Sequence, residues 1–232
     1  MSTDSMPAVI EIGEIRNLSK TVSDKLQELI YTGKLKPGER LVQTELAERF
    51  RVSRVAIRDA LQELRQSGLA VSGGQVGGMV VRPITKQDVE NIAFVRSAIE
   101  IKVALAAARN IDEKGLRKMR LIIDKQTRLR DDKDYIGFLR VDWEFHRTFY
   151  SYAHNDLALD IIEKLWTRAS QARGMVLISQ DWGALWSGQS IDGHREMIER
   201  IRAKDELHLE ETLERIIEKA KREQLQWVEE VS

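Results

Sequence analysis

The sequence predicts a mainly α protein in two parts: three helices plus a small β-hairpin over residues 1–83, then an all-α antiparallel helical bundle over residues 84–232. Three observations lead there. The chain has only three prolines, Pro7, Pro37 and Pro83, and Pro83 divides two stretches of different patterning. Before it, two short β-prone runs flank the glycine-rich GGQVGG at 73–78. After it, apolar residues recur at helical spacing with no strand signal of any strength.

In the first part, Val22, Leu26, Leu29 and Ile30 form one face of a helix, and KPG at 36–38 makes a turn. Glu45 to Phe50 and Arg54 to Ser67 make two further helices with a very short connection. LAVS at 69–72 and MVVR at 79–82 are the strands of the hairpin. Three helices and a hairpin in this order predict a winged helix-turn-helix. In the second part, Thr85 and Asp88 stand in a capping-box relation, and helices are expected near 86–109, 113–130, 134–152, 156–180, 190–203 and 206–229.

Composition narrows the class. The 232 residues suffice for two modest domains, and 42% hydrophobic with 32% charged residues suits a helix-rich globular protein. No apolar run approaches a membrane span, the N-terminal residues lack an export pattern, and there is no cysteine, so a cytoplasmic location is expected. The formal net charge is zero, yet residues 16–82 hold 12 Lys/Arg against 7 Asp/Glu. A basic module joined to a mildly acidic one fits contact with nucleic acid through one end only.

The stretch QTELAERFRVSRVAIRDALQ, residues 43–62, carries the chemistry of that contact. Two helices crossing over a short turn must be small where they touch and apolar where they pack. Ala47 supplies the small contact, and Leu46, Phe50, Val52, Ile57 and Ala60 fall at inward positions. Arg51 takes the turn site where glycine is usual, at a cost of about 1 kcal/mol for a left-handed non-glycine residue. Ser53 can cap the next helix, and Arg54 and Arg58 then share its outward face near the N-terminal end. A guanidinium there can take guanine O6 and N7, or a phosphate, in bidentate fashion. The same pair on an isolated helix would be a solvated surface feature.

The run GKLKPGERLVQTELAERFRVSRVAIRDALQELRQSGLA resembles the N-terminal domain of GntR-family bacterial transcription regulators, over residues 18–82. The resemblance implies operator contacts from Arg54 and Arg58, with Ser53 beside them, from Thr44 on the preceding helix, and from the hairpin tip at Gly74 and Gln75. Gly74 and Val76 stand where the family commonly has proline and arginine.

In the bundle, Asp142 and His146 lie one helical turn apart and can grip one ion from one face. Asp205, a natural N-cap in an expected interhelical turn, follows His194 by eleven residues, so Ile216 returns to the level of His194. These positions resemble the FCD ligand-binding domain of the FadR subfamily, in which an Asp and three His hold a divalent metal. The resemblance implies a site of Asp142, His146 and His194 for a Zn, Ni or Mn-like ion, with Ile216 replacing the last ligand. His208, two turns from Ile216, is a poor substitute. Arg96, in VRSAIE, could receive an effector carboxylate, or pair with Glu100 one turn on. Trp143 is expected in the core beside the metal, and Trp182 and Trp186 in packing or an interface.

The expected function is therefore a homodimeric regulator, a repressor by default, released from a palindromic double-stranded DNA operator by a small organic acid or sugar acid. Two other classes compete. A metal-dependent hydrolase would need a base such as Glu144, which should point away from the metal face. A constitutive DNA-binding dimer would have the same DNA-binding part and an inert bundle.

Overall fold

The structure, a computed structural model, describes residues 12–74, 77–178 and 182–231. Among them lie helices α1 (Ile12–Tyr31), α2 (Gln43–Phe50) and α3 (Arg54–Gln66), strands β1 (Ala70–Ser72) and β2 (Met79–Val81), and helices α4 (Lys86–Asn110), α5 (Glu113–Asp131), α6 (Tyr135–Tyr150), α7 (Asp156–Ile178), α8 (Trp182–Ala203) and α9 (Glu206–Val231). A single 3-10 turn, Ser151–Ala153, follows α6. The architecture is mainly α, with the antiparallel pair β1–β2 in the register Ala70–Val81, Val71–Val80 and Ser72–Met79.

The first hydrophobic core is built by α1, α3 and the hairpin around Leu26, Ile30, Ile57, Ala60, Leu61, Leu64, Leu69 and Val81. Arg51 is left-handed (φ 56°, ψ 45°), and its N–H and that of Val52 close the end of α2 on the carbonyls of Glu48 and Ala47. Phe50 and Val52 are only half-buried, whereas Leu46, Ala47, Ile57 and Ala60 are fully enclosed. Residues after the KPG turn also pair with the hairpin, through Leu41 N–H to Met79 O and Val81 N–H to Glu39 O. Gly74, Gly77 and Gly78 all have positive φ at the hairpin tip, which is why glycine is needed there.

The second core belongs to the bundle and gathers Phe138, Phe145, Phe149, Tyr150, Trp166, Trp186 and Met197 with aliphatic residues of α4, α5 and α9. Thr85 and Asp88 form the full capping box on α4. Helix α8 starts at Trp182, eight residues before the expected 190. The segment WGALWSGQ has two glycines and weak amphipathicity, and its helicity comes from packing of Trp186 edge-on against Phe138 (5.7 Å, 74°) rather than from local propensity.

Helix α7 joins the two parts. Arg168 pairs with Asp88 at 2.9 Å, Gln171 donates to the Arg82 carbonyl at 2.8 Å, and Gly174 lies against the Tyr31 backbone at the end of α1. Arg140 of α6 adds an exposed contact to Glu28 at 3.3 Å.

Candidate DNA-contacting surface and metal centre

Helix α3 forms because its apolar residues fall on one stripe, Ala56, Ile57, Ala60, Leu61 and Leu64, all buried. Its start is fixed by Ser53, whose hydroxyl accepts the Ala56 N–H at 3.2 Å. The opposite face is open. Arg54 and Arg58 are exposed, and the Arg58 guanidinium pairs with its neighbour Asp59 at 3.3 Å. Thr44 and Ser53 are exposed on the same helix-turn-helix, and so is Gly74 at the hairpin tip, while Gln75 lies outside the described residues. A basic helix face with its N–H-rich end open to solvent can meet base edges and phosphates.

The second site is buried. One turn of α6 brings Asp142 and His146 onto its inner face, and α8 supplies His194 opposite them, all three fully enclosed. Their donor atoms lie within 4.8 Å of one another. His194 Nε2 is 3.1 Å from His146 Nε2 and 3.6 Å from Asp142 Oδ1. Donors about 2.1 Å from one ion stand roughly 3.0–3.4 Å apart between right-angle and tetrahedral arrangements; the two imidazole nitrogens at 3.1 Å fall in that range and the His194–Asp142 pair at 3.6 Å lies just outside it.

The surrounding groups orient the donors. Gln126 of α5 accepts from His194 Nδ1 (2.9 Å) through Oε1 and donates to Asp142 Oδ1 (3.4 Å) through Nε2. Ser190 donates to the same Oδ1 at 2.7 Å. His146 Nδ1 is 3.4 Å from the Tyr150 hydroxyl, which itself donates to Glu100 Oε2 at 3.0 Å. Gln126 Oε1 can only accept and the Tyr150 hydroxyl donates to Glu100, so the Nδ1 atoms of both imidazoles face acceptors, and the two Nε2 atoms face each other at 3.1 Å beside Asp142. Phe145 stacks on His194 at 3.8 Å. Burial holds the His194 pKa down at about 4, against a smaller opposing effect of Asp142, and depresses His146 further below its ordinary value with help from His194, Arg173 and Arg96. Neutral imidazoles are the ligand form.

Arg96 takes the second of its two sequence readings: it pairs with Glu100, Nε to Oε1 at 2.5 Å and Nη2 to Oε2 at 3.2 Å, and the pair is enclosed in the core. Glu100 also accepts from Trp166 Nε1 at 3.0 Å, and the Arg96 guanidinium lies 4.5 Å from the Trp166 ring centre. Arg96 is thus committed to Glu100 and stands behind the site.

The cation facing the histidines is Arg173 of α7, which the sequence reading missed. Its guanidinium lies between Trp166 (4.6 Å) and Trp186 (5.2 Å) and reaches Asp142 Oδ2 at 3.4 Å. A cavity of about 40 Å³ is lined by His146, Arg173, Trp186, Ser190, His194 and Ile216 among others. Trp186 therefore both packs and lines the cavity; the Trp182 side chain lies outside the described residues. Trp143 lies tilted against Trp166 (5.2 Å, 35°), beside the site. Glu144 is half-buried and pairs with Lys125 at 2.9 Å, and His208 is exposed and pairs with Asp205. Neither reaches the histidines. Gln126 and Arg173 gave no sequence signal, since a Gln in a charged helix and an Arg after SQA carry no periodic mark.

Comparison with known proteins gives two family matches. The FCD domain model matches residues 91–219, and the model of bacterial regulatory proteins of the gntR family matches residues 18–80. The HTH-type transcriptional regulator McbR of Escherichia coli K12 is 24% identical over 195 residues, covering 83% of this chain and 87% of its own. The HTH-type transcriptional repressor RspR of the same organism is 33% identical over 139 residues, 60% of each chain. YdhC of Bacillus subtilis, an HTH-type transcriptional regulator, is 30% identical over 145 residues, 60% of this chain and 62% of that one. Among solved structures, E. coli McbR/YncC superposes with a TM-score of 0.77 at 22% identity, over 90% of this chain and 97% of that one. A GntR regulator from Rhodococcus sp. RHA1 gives 0.73 at 20% identity, over 90% and 98%. These relatives are regulators, not enzymes, and no helix among the described residues is long and apolar enough to cross a membrane. The FCD domain model covers more than half of the chain, so the chain belongs to the FCD-domain family, and in front of that domain it carries a DNA-binding domain of the gntR family of bacterial regulatory proteins.

Proposed function

We propose that the protein acts in the cytoplasm as a homodimeric repressor that holds a palindromic operator through α3 and lets go when the bundle binds a small carboxylate. The observation that carries the DNA half is the open basic face of α3, with Arg54 and Arg58 exposed above a fully buried stripe. Thr44, Ser53, Gly74 and Gln75 would add contacts to backbone or base edges from the preceding helix, the cap and the wing. In the bundle, Asp142, His146 and His194 would hold a divalent ion, and the two Nε2 atoms facing each other at 3.1 Å beside Asp142 fit one. Such an ion supplies an electrophilic centre for a carboxylate oxygen. Around it the chain's own residues exclude water, fix the imidazole tautomers and present a guanidinium. Ile216, against Gly193 at the cavity wall, offers no fourth donor.

Arg58→Ala tests the first half. Arg58 is exposed and, among the described residues, its hydrogen bonds go to Asp59 alone, so stability should stay within about 0.5 kcal/mol. Operator affinity should fall by about 1–3 kcal/mol, roughly 5- to 150-fold, in a titration at fixed salt. Unaltered affinity would remove α3 from the interface. A constitutive binder with an inert bundle would instead give operator binding insensitive to every acid and metal.

A further inference from the structure

We propose that Val55 is a specificity-determining residue: its isopropyl group seats against the C5-methyl of one thymine in each half-site of the operator, so that thymine is selected there by an apolar contact. This rests on the reading of α3 as the helix that enters DNA and names what that helix recognises besides charge. At about 100° per residue, the mid-line of the buried stripe Ala56, Ile57, Ala60, Leu61 and Leu64 lies roughly 170° round α3 from Val55. Val55 therefore stands at the crown of the outward face, with Arg54 and Arg58 together on one flank. It is 50% exposed, and no other large hydrophobic side chain of α2, α3 or the hairpin is exposed among the described residues.

Folding gives no reason for a valine at that position. A β-branched side chain on the solvent face of a helix buries little and loses χ1 freedom, so alanine or a charged residue would suit the helix better. Chemistry then narrows what it can meet in DNA. Valine has neither a donor nor an acceptor, so it cannot bind a phosphate or the polar edges of guanine, adenine or cytosine. The one apolar group on the base edges of the major groove is the thymine methyl. Val55 is also placed to reach it, as the second residue of α3, whose start is fixed by the Ser53 hydroxyl accepting the Ala56 N–H at 3.2 Å. The N-terminal residues of a recognition helix are the ones that meet base edges. Arg54 and Arg58 have long arms that can take guanine or phosphate from the flank, whereas a short isopropyl group at the crown touches only the base directly beneath the helix.

The test uses the full-length protein and a duplex that the unmodified chain selects from a randomised pool. Thymines at matching positions of the two half-sites are replaced in turn by deoxyuridine, which removes the methyl and leaves every hydrogen-bonding atom in place. At one such pair the replacement should weaken binding by the unmodified chain about fifteenfold at fixed salt, roughly fourfold for each methyl no longer buried. Val55→Ala should bind the thymine and deoxyuridine duplexes of that pair within about twofold of each other. Val55→Thr, which retains one γ-methyl, should restore the preference for thymine. Alanine is the better helix former, so the thermal midpoint of Val55→Ala should not fall. An unmodified chain indifferent to every deoxyuridine replacement overturns the proposal, and so does an effect of the same size in Val55→Ala. Arg58→Ala on the same duplex separates the two levels. Lost affinity there, with a deoxyuridine effect that persists in Val55→Ala, rejects the role of Val55 alone. Undiminished affinity of Arg58→Ala, or a pool that yields no preferred duplex, rejects α3 as the reading helix and the proposal with it.

Discussion

Gly174 is where α7 leans on the winged domain, and Gly174→Ala should strain that seam without touching any residue assigned to DNA or ligand. A Cβ built at Gly174 would lie 2.5 Å from the Tyr31 carbonyl oxygen and 2.9 Å from the Tyr31 Cβ. Ordinary contact needs roughly 3.4 Å or more, so the two helices must part by about 0.5–1 Å. Neither can yield easily. On its other side α7 wedges Trp166 and Arg173 into the bundle core, and α1 holds Leu26, Leu29 and Ile30 in the first core. Overpacking of this kind costs about 1–3 kcal/mol, set against a gain of about 0.5–1 kcal/mol from replacing a mid-helix glycine. Gly188→Ala in α8 isolates that gain, because a Cβ there meets nothing within 4 Å. Urea unfolding of both variants should therefore place Gly174→Ala about 1–3 kcal/mol below Gly188→Ala, a gap of roughly 2–12 °C in Tm for a chain of this size. Equal stabilities would show that the close approach at Tyr31 imposes no constraint, and the seam would lose its physical basis.

Three further outcomes follow from the same structure. Glu100→Gln leaves Arg96 buried without its counter-ion and should cost about 3–5 kcal/mol by chemical denaturation; a loss under 1 kcal/mol would mean the pair is replaceable by packing. Stability should also depend on acidity through His194, whose pKa is near 4 when folded and 6.5 as the ordinary value. Between those two values the unfolded chain binds the extra proton, so stability held above pH 6.5 drains away as the pH falls toward 4, by up to about 3 kcal/mol. Urea midpoints measured with a chelator present should show this slope, and His194→Gln should make it shallower while the share from His146 stays; parallel profiles would refute it. Ser53→Ala removes the acceptor of the Ala56 N–H and should destabilise by about 1 kcal/mol, read from the thermal midpoint, with no change expected if water replaces the cap.

Much of the DNA-contacting part was legible in the sequence, because its determinants are local. The stripe of Ile57, Ala60 and Leu64, the Ser53 cap and the left-handed Arg51 all concern residues within one or two turns of each other, so periodicity and capping chemistry reach them. The pairing of residues 39–41 with the hairpin was not legible, since it depends on where the KPG turn sends the chain. In the bundle, Asp142 and His146 share a turn and could be read as a pair; His194 needed the family resemblance to join them.

What the sequence determined by itself was the mainly α class, the order of elements and the residue types able to meet DNA or a metal, since these follow from spacing along the chain. What only the tertiary structure decided was the company those residues keep. Packing of α4, α5, α6, α7 and α8 around one point set Arg96 on Glu100, Gln126 between His194 and Asp142, and Arg173 against the two tryptophans. Burial and charge balance are properties of the assembled interior, and they join side chains as far apart along the chain as Gln126 and His194, 68 residues. No local pattern encodes them.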